Sequence, residues 1–213
     1  MAENKPVKTK KINLPNILTL IRIGLVPPII FLILMPWGGN SEGAQKIQTI
    51  FNIITAALFL VAALTDLFDG AIARGTNQVT DFGKFLDPIA DKMLILGTLV
   101  AIAGSERFSY LRLAVVISAC IILLRELTVT SIRMVANKHD GTVISANIFG
   151  KMKTVVSVVT VMVIFLEGLI FKNGGLAGIY LLSYIMLVIT VLLTVFSGFT
   201  YIKKYFSYID PRR

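Results

Sequence analysis

The sequence predicts an all-α, polytopic membrane protein of six transmembrane helices, preceded by a short basic amphipathic or juxtamembrane segment. Three observations lead there. Hydrophobic residues make up 55% of the 213, and charged residues only 15%, where a soluble domain of ordinary composition carries about 25% charge. Mean hydropathy is +0.80. The apolar residues also come in runs long enough to cross a hydrocarbon core as helices. These runs use nearly the whole length, so any chemistry must sit on the membrane helices or at their ends.

The elements follow in order. Residues 1–12 form the basic segment, 13–205 the helical domain and 206–213 a polar tail. The first run, about Leu14 to Trp37, contains Arg22 and the pair Pro27 and Pro28, which should bend a helix. It is too long for a signal-peptide core and is followed by no small-residue cleavage pattern, so it is expected to be retained. After a polar break from Gly38 to Gln45, the second run extends from about Ile47 to Leu64 and continues into Asp66. A loop at Gly75 to Thr80 precedes the third run, which reaches Gly104. The fourth covers about Leu111 to Val135, the fifth Ile148 to Leu169 and the sixth Leu176 to Tyr201. Gly174, Gly175 and Gly178 before the sixth run suit either a turn or close helix contact. Cys120, the sole cysteine, excludes an intrachain disulfide and is expected to be a buried spectator. His139, the sole histidine, argues against His-ligated zinc.

Charge sets the orientation. With six spans, Lys5, Lys8, Lys10, Lys11, Arg74, Lys84, Arg133, Lys138, Lys151, Lys153, Lys203, Lys204, Arg212 and Arg213 share one side. The other side has Lys46, Arg107, Arg112 and Lys172. The positive-inside rule then puts both termini in the cytoplasm of a cell-membrane protein. The net charge of +9 reflects this rim and anionic lipid headgroups, and no nucleic-acid partner is expected. Residues 1–11 are expected to lie on the membrane surface.

The stretch that carries chemistry is Thr65 to Lys92, TDLFDGAIARGTNQVTDFGKFLDPIADK. Asp66 and Asp69 are spaced i, i+3, and Asp87 and Asp91 i, i+4, so each pair shares a helix face. The short connection should bring both pairs to the cytoplasmic ends of spans two and three. Clustered carboxylates in a low dielectric repel one another and would take up protons. Divalent cations remove that cost, and an all-oxygen ligand set favours Mg²⁺ or Mn²⁺. Gly70, Ala73 and, from the next helix, Gly83 let a ligand approach the backbone closely, and Arg74 can pair with a phosphate. The set suits a metal-bridged pyrophosphate. One aspartate at a helix end would be an ordinary solvated charge, but four at helical spacing among only 12 acidic residues call for a ligand. An ion or metal transporter is the competing class, although it would space its charges along a transmembrane path.

The pattern Asp66-x2-Asp69-Gly70-x2-Ala73-Arg74-x8-Gly83-x3-Asp87-x3-Asp91 resembles, at all eight positions, the signature of the CDP-alcohol phosphatidyltransferases. The six-span layout is similar too. The resemblance implies that Asp66, Asp69 and Asp87 hold two divalent metals, and that Asp91 contacts one of them and acts as general base. It further implies that Gly70, Ala73, Arg74 and Gly83 line the CDP site with Asp66 and Asp69 close by, and that the protein is a homodimer. The donor substrate would be CDP-diacylglycerol, and attack by an alcohol on its lipid-linked phosphorus would release CMP.

Three further stretches bear on the alcohol. Asn13 to Arg22 (NLPNILTLIR), Leu124-Arg125-Glu126 and Gly150 to Thr154 (GKMKT) are similar to the family's bacterial branch that uses sn-glycerol 3-phosphate. Inositol phosphate, serine or phosphatidylglycerol are the alternative acceptors. A phosphorylated acceptor needs cations, for which Arg125, Arg133, Lys151 and Lys153 are the candidates. Arg125 is the most telling, since a charge inside an apolar run is costly without a purpose; its bland alternative is an ion pair with Glu126. Snorkelling accounts equally for Arg133, and membrane anchoring for Lys151 and Lys153. Asn16, Thr19 and Arg22 share one face, either reaching substrate or bridging helices.

Overall fold

The structure, a computed structural model, describes residues 14–36, 41–76, 81–140, 148–170 and 180–205. Side chains are described within them except at 14–15, 66–76, 81–82, 84–85, 87, 133, 135–140, 148–149, 151, 168 and 170. The basic segment 1–12, the tail 206–213 and Gly174, Gly175 and Gly178 lie outside the described residues. Among the described residues six α-helices form: α1 (Leu14–Leu34), α2 (Glu42–Thr76), α3 (Asp81–Gly104), α4 (Arg112–Asp140), α5 (Ile148–Ile170) and α6 (Leu181–Tyr205), with a 3₁₀ helix at Glu106–Leu111 leading into α4. Among the described residues there is no strand.

Helix α1 packs on both α2 and α3, α3 on α4, α4 on α6, α6 on α5 and α5 on α2, which closes a ring. Polar and apolar residues are distributed as a bilayer requires. Phe31, Val61, Leu113, Leu124, Leu192 and Phe199 are exposed, whereas Thr19, Arg22, Thr98, Ser118, Glu167, Thr190 and Thr194 are buried. Lipid tails solvate the apolar outside, and polar groups find partners only within the bundle or on their own helix. Ser118 donates to the Ala114 carbonyl at 2.7 Å, and Thr160 meets Thr190 across α5 and α6 at 2.7 Å. Cys120 follows the same logic and corrects the expectation: it is exposed, on the outward stripe of α4 with Val116, Leu123 and Leu127.

By length and composition, Asn16–Leu34, Glu42–Thr65, Glu106–Ile132 and Leu181–Tyr205 qualify as membrane spans among the described residues. The expected six spans therefore correspond to six helices of which four meet that test. Charged residues stand on α3 and α5, as they do on α1 and α4. Asp81, Lys84, Asp87, Asp91 and Lys92 stand in the first half of α3, and Lys151, Lys153 and Glu167 on α5.

Local chemistry explains the helix ends. Helix α2 starts at Glu42, earlier than its apolar run, because the Ser41 hydroxyl accepts the Ala44 amide at 3.3 Å and Glu42 opposes the helix dipole. The last carbonyls of α1 are taken up by the Arg107 guanidinium, which donates to Leu32 and Ile33 at 3.4 and 3.3 Å. The start of α6 is capped by Glu167 of α5, which accepts the Leu182 and Ser183 amides at 2.8 Å each. Next to these caps, Phe165 meets Phe59 and Phe108 edge to face, with ring centroids 6.4 and 6.0 Å apart, all three within the apolar core.

Candidate active site

Contacts divide the bundle into two ends. One holds the caps just described. At the other, the last turns of α2 carry Asp66 and Asp69 and the first turns of α3 carry Asp87 and Asp91, and the two helices touch. Helical spacing puts each pair on one face of its helix. The side chains of Asp66, Asp69 and Asp87 lie outside the described residues, as do those of Gly70, Ala73, Arg74, Arg133 and Lys151. Asp91 is half-buried and Gly83 is buried. Among the described residues no group of three or more His, Cys, Asp or Glu side chains gathers. The donor set on these two helix ends is nonetheless all carboxylate, and one member, Asp91, faces a cleft. That chemistry fits a hard divalent cation such as Mg²⁺ or Mn²⁺.

Asp91 borders two clefts. The first, with about 570 Å³ of empty space, runs between α2, α3 and α5. Its walls are Leu60, Ala63, Leu64, Leu94, Val155 and Val158, with Arg22 as its other charged residue. Arg22 is only 1% exposed, and Asn16 and Thr19 are buried beside it on the inward face of α1, so all three point into the bundle. The second cleft, about 340 Å³, lies between α3, α4, α5 and α6 and is lined by Asp91, Lys92, Glu126, Lys153, Ser157 and Thr194. Asp91, Ile95 and Thr154 belong to both. One carboxylate thus stands where an apolar and a polar space meet.

The polar cleft is held by a chain of charges. Lys153 and Arg125 both donate to Oε1 of Glu126, Arg125 from Nη1 at 2.9 Å. Arg125 also donates from Nη2 to the Ser197 hydroxyl at 2.8 Å. The three charged side chains keep only 11–15% exposure. Lys92 donates to the Thr130 hydroxyl at 3.3 Å. The ion pair between Arg125 and Glu126, weighed as the bland account of Arg125, is present. It ties Arg125 to the cleft through Glu126, since Glu126 and Lys153 line the cleft and Arg125 lies behind them.

The sequence singled out neither Lys92 nor Glu167, and Glu126 only as an ion-pair partner for Arg125. The signal existed for both glutamates: a carboxylate within an apolar run is as costly as an arginine, and the test applied to Arg125 selects them too.

This bundle is an all-α membrane protein that carries paired aspartates on two adjoining helix ends. Residues 12–196 match the CDP-alcohol phosphatidyltransferase family, and the chain belongs to it. It is 36% identical over 194 residues to a Bacillus subtilis protein named CDP-diacylglycerol–glycerol-3-phosphate 3-phosphatidyltransferase, covering 90% of this chain and 94% of that one. A Mycobacterium tuberculosis protein named probable phosphatidylglycerophosphate synthase is 35% identical over 192 residues, covering 90% and 81%. A Rickettsia typhi protein with the same name as the Bacillus one is 32% identical over 196 residues, covering 92% and 98%.

Proposed function

We propose that this protein transfers the phosphatidyl group of CDP-diacylglycerol to sn-glycerol 3-phosphate, giving phosphatidylglycerophosphate and CMP at the cytoplasmic face of the cell membrane. The observation that carries this reading is the position of Asp91, shared by an apolar cleft and a cation-bearing polar one. Diacylglycerol chains match the first, which opens among Leu60, Val155 and Val159. The second has Lys153 and Lys92 on its walls, the cations that a small phosphorylated alcohol would meet. The names of the relatives support the same pair of substrates.

In this reading Asp66, Asp69, Asp87 and Asp91 would hold two Mg²⁺ or Mn²⁺ ions, which would screen the pyrophosphate when bound. Gly70, Ala73 and Gly83 leave room for the nucleotide, Arg74 pairs with its phosphates, and buried Arg22 adds positive charge beside them. The acceptor hydroxyl forms a new bond to the lipid-linked phosphorus while the bond to the bridging oxygen breaks, and that oxygen leaves on CMP. Asp91 takes the hydroxyl proton, a task that typically contributes about 10²- to 10⁴-fold. Lys153 meets the acceptor phosphate, with Arg125 behind it and Arg133 and Lys151 adding charge at the rim. The uneven distribution of Lys and Arg supports a cytoplasmic position for both termini and the site, and the family resemblance supports a homodimer.

The test supplies purified protein with CDP-diacylglycerol, Mg²⁺ or Mn²⁺ and, in turn, glycerol 3-phosphate, inositol phosphate, serine and phosphatidylglycerol. CMP release with glycerol 3-phosphate alone is expected. Release with another acceptor alone would change the substrate, and no release with any would favour a transporter.

A further inference from the structure

Arg125 reaches the polar cleft only through other side chains, and two of the residues that hold it come from α6. The Ser197 hydroxyl, on a residue 4% exposed, accepts from Nη2 of Arg125 at 2.8 Å. At Gly198, a Cβ would come within 3.0 Å of Cγ of Arg125, closer than the roughly 3.5–4.0 Å of ordinary carbon contact. The missing side chain is therefore the space in which the arginine stem lies. Glu126 holds the guanidinium from the other side and binds Lys153 with the same oxygen. α6 contributes neither an aspartate nor a cation to the proposed chemistry, yet the whole row rests on it.

We propose that Ser197 and Gly198 are positioning residues for the acceptor site. They seat Arg125, Arg125 fixes Glu126, and Glu126 fixes Lys153 on the wall where the acceptor phosphate binds. The inference rests on the reaction proposed above and adds α6 to its machinery. The row also explains why a carboxylate stands among cations meant for an anion. Glu126 keeps two like charges at a set separation that their repulsion would otherwise widen.

The experiment measures CMP release in detergent micelles with each substrate varied in turn, for Ser197→Ala, Ser197→Thr and Gly198→Ala, alone and combined with Arg125→Ala. Ser197→Ala and Gly198→Ala are each expected to raise the KM for glycerol 3-phosphate about tenfold, the lower end of what a hydrogen bond to a charged group is worth. The KM for CDP-diacylglycerol should move less than about twofold. Ser197→Thr keeps the hydroxyl and should stay near the parent. In the Arg125→Ala background neither substitution should add an effect, because residues that act through one another do not add. The inference is overturned by an unmoved acceptor KM, by effects that multiply fully with Arg125→Ala, or by both KM values rising together. If the unsubstituted protein turns over no acceptor, the reaction falls and this inference with it. Normal turnover with unmoved KM values removes the inference alone.

Discussion

Replacing Glu167 by alanine takes away, at a position 1% exposed, the acceptor for the first turn of α6. Oε1 accepts the Leu182 amide and Oε2 the Ser183 amide, both at 2.8 Å, and the Ser183 hydroxyl donates to Oε2 as well. The hydroxyl can turn to a carbonyl of its own helix, so only the two amides lose their acceptor irreversibly. A buried donor stripped of its partner costs about 1–3 kcal/mol. Part of that is offset because no carboxylate has to be desolvated any longer. The net expectation is a loss of about 2–4 kcal/mol, with Glu167→Gln losing less because one oxygen remains. Unfolding of parent and variants by denaturant in a fixed detergent measures it. CMP release well below the unfolding midpoint should be unchanged, since Glu167 lies at the end of the bundle away from Asp91. A variant within about 0.5 kcal/mol of the parent, the range of ordinary surface changes, would refute the capping account.

Other consequences are equally direct. Asp91→Asn should cut CMP release by about 10²- to 10⁴-fold while CDP-lipid binding, read by equilibrium titration, is largely kept; near-normal turnover rejects the base. Chelation with EDTA should abolish release, and Mg²⁺ or Mn²⁺ in excess of the chelator should restore it; activity that survives exhaustive chelation argues against the carboxylate cation site. Thr160→Val and Thr190→Val break a buried hydroxyl pair 2.7 Å apart. Each should cost about 0.6–2 kcal/mol, and the double variant less than the sum, read from the same denaturant curves.

The sequence carried the helices well because apolar runs in a membrane protein are long and their punctuation is sharp. α3 ends at Gly104 as expected, and α5 begins at Ile148. It misjudged where polar chemistry extends a helix past its apolar run, as Ser41 and Glu42 do for α2. It also misjudged which way an apolar residue faces, as with Cys120, because hydropathy does not distinguish lipid from core when both are apolar. The aspartate pairs were legible because helical spacing is local. The row from Ser197 through Arg125 and Glu126 to Lys153 was not, because its members lie up to 72 positions apart and only the packing of α4, α5 and α6 brings them together. The Glu167 cap belongs to the same kind, a contact between helices rather than a pattern within one.

The most direct measurement follows the attacking oxygen. Glycerol 3-phosphate carrying ¹⁸O in its terminal hydroxyl is given to the protein with CDP-diacylglycerol and Mg²⁺, and the products are weighed by mass spectrometry. Attack on the lipid-linked phosphorus places the label in phosphatidylglycerophosphate and leaves CMP unlabelled. Label recovered in a cytidine nucleotide, with phosphatidic acid as the lipid product, would contradict the account.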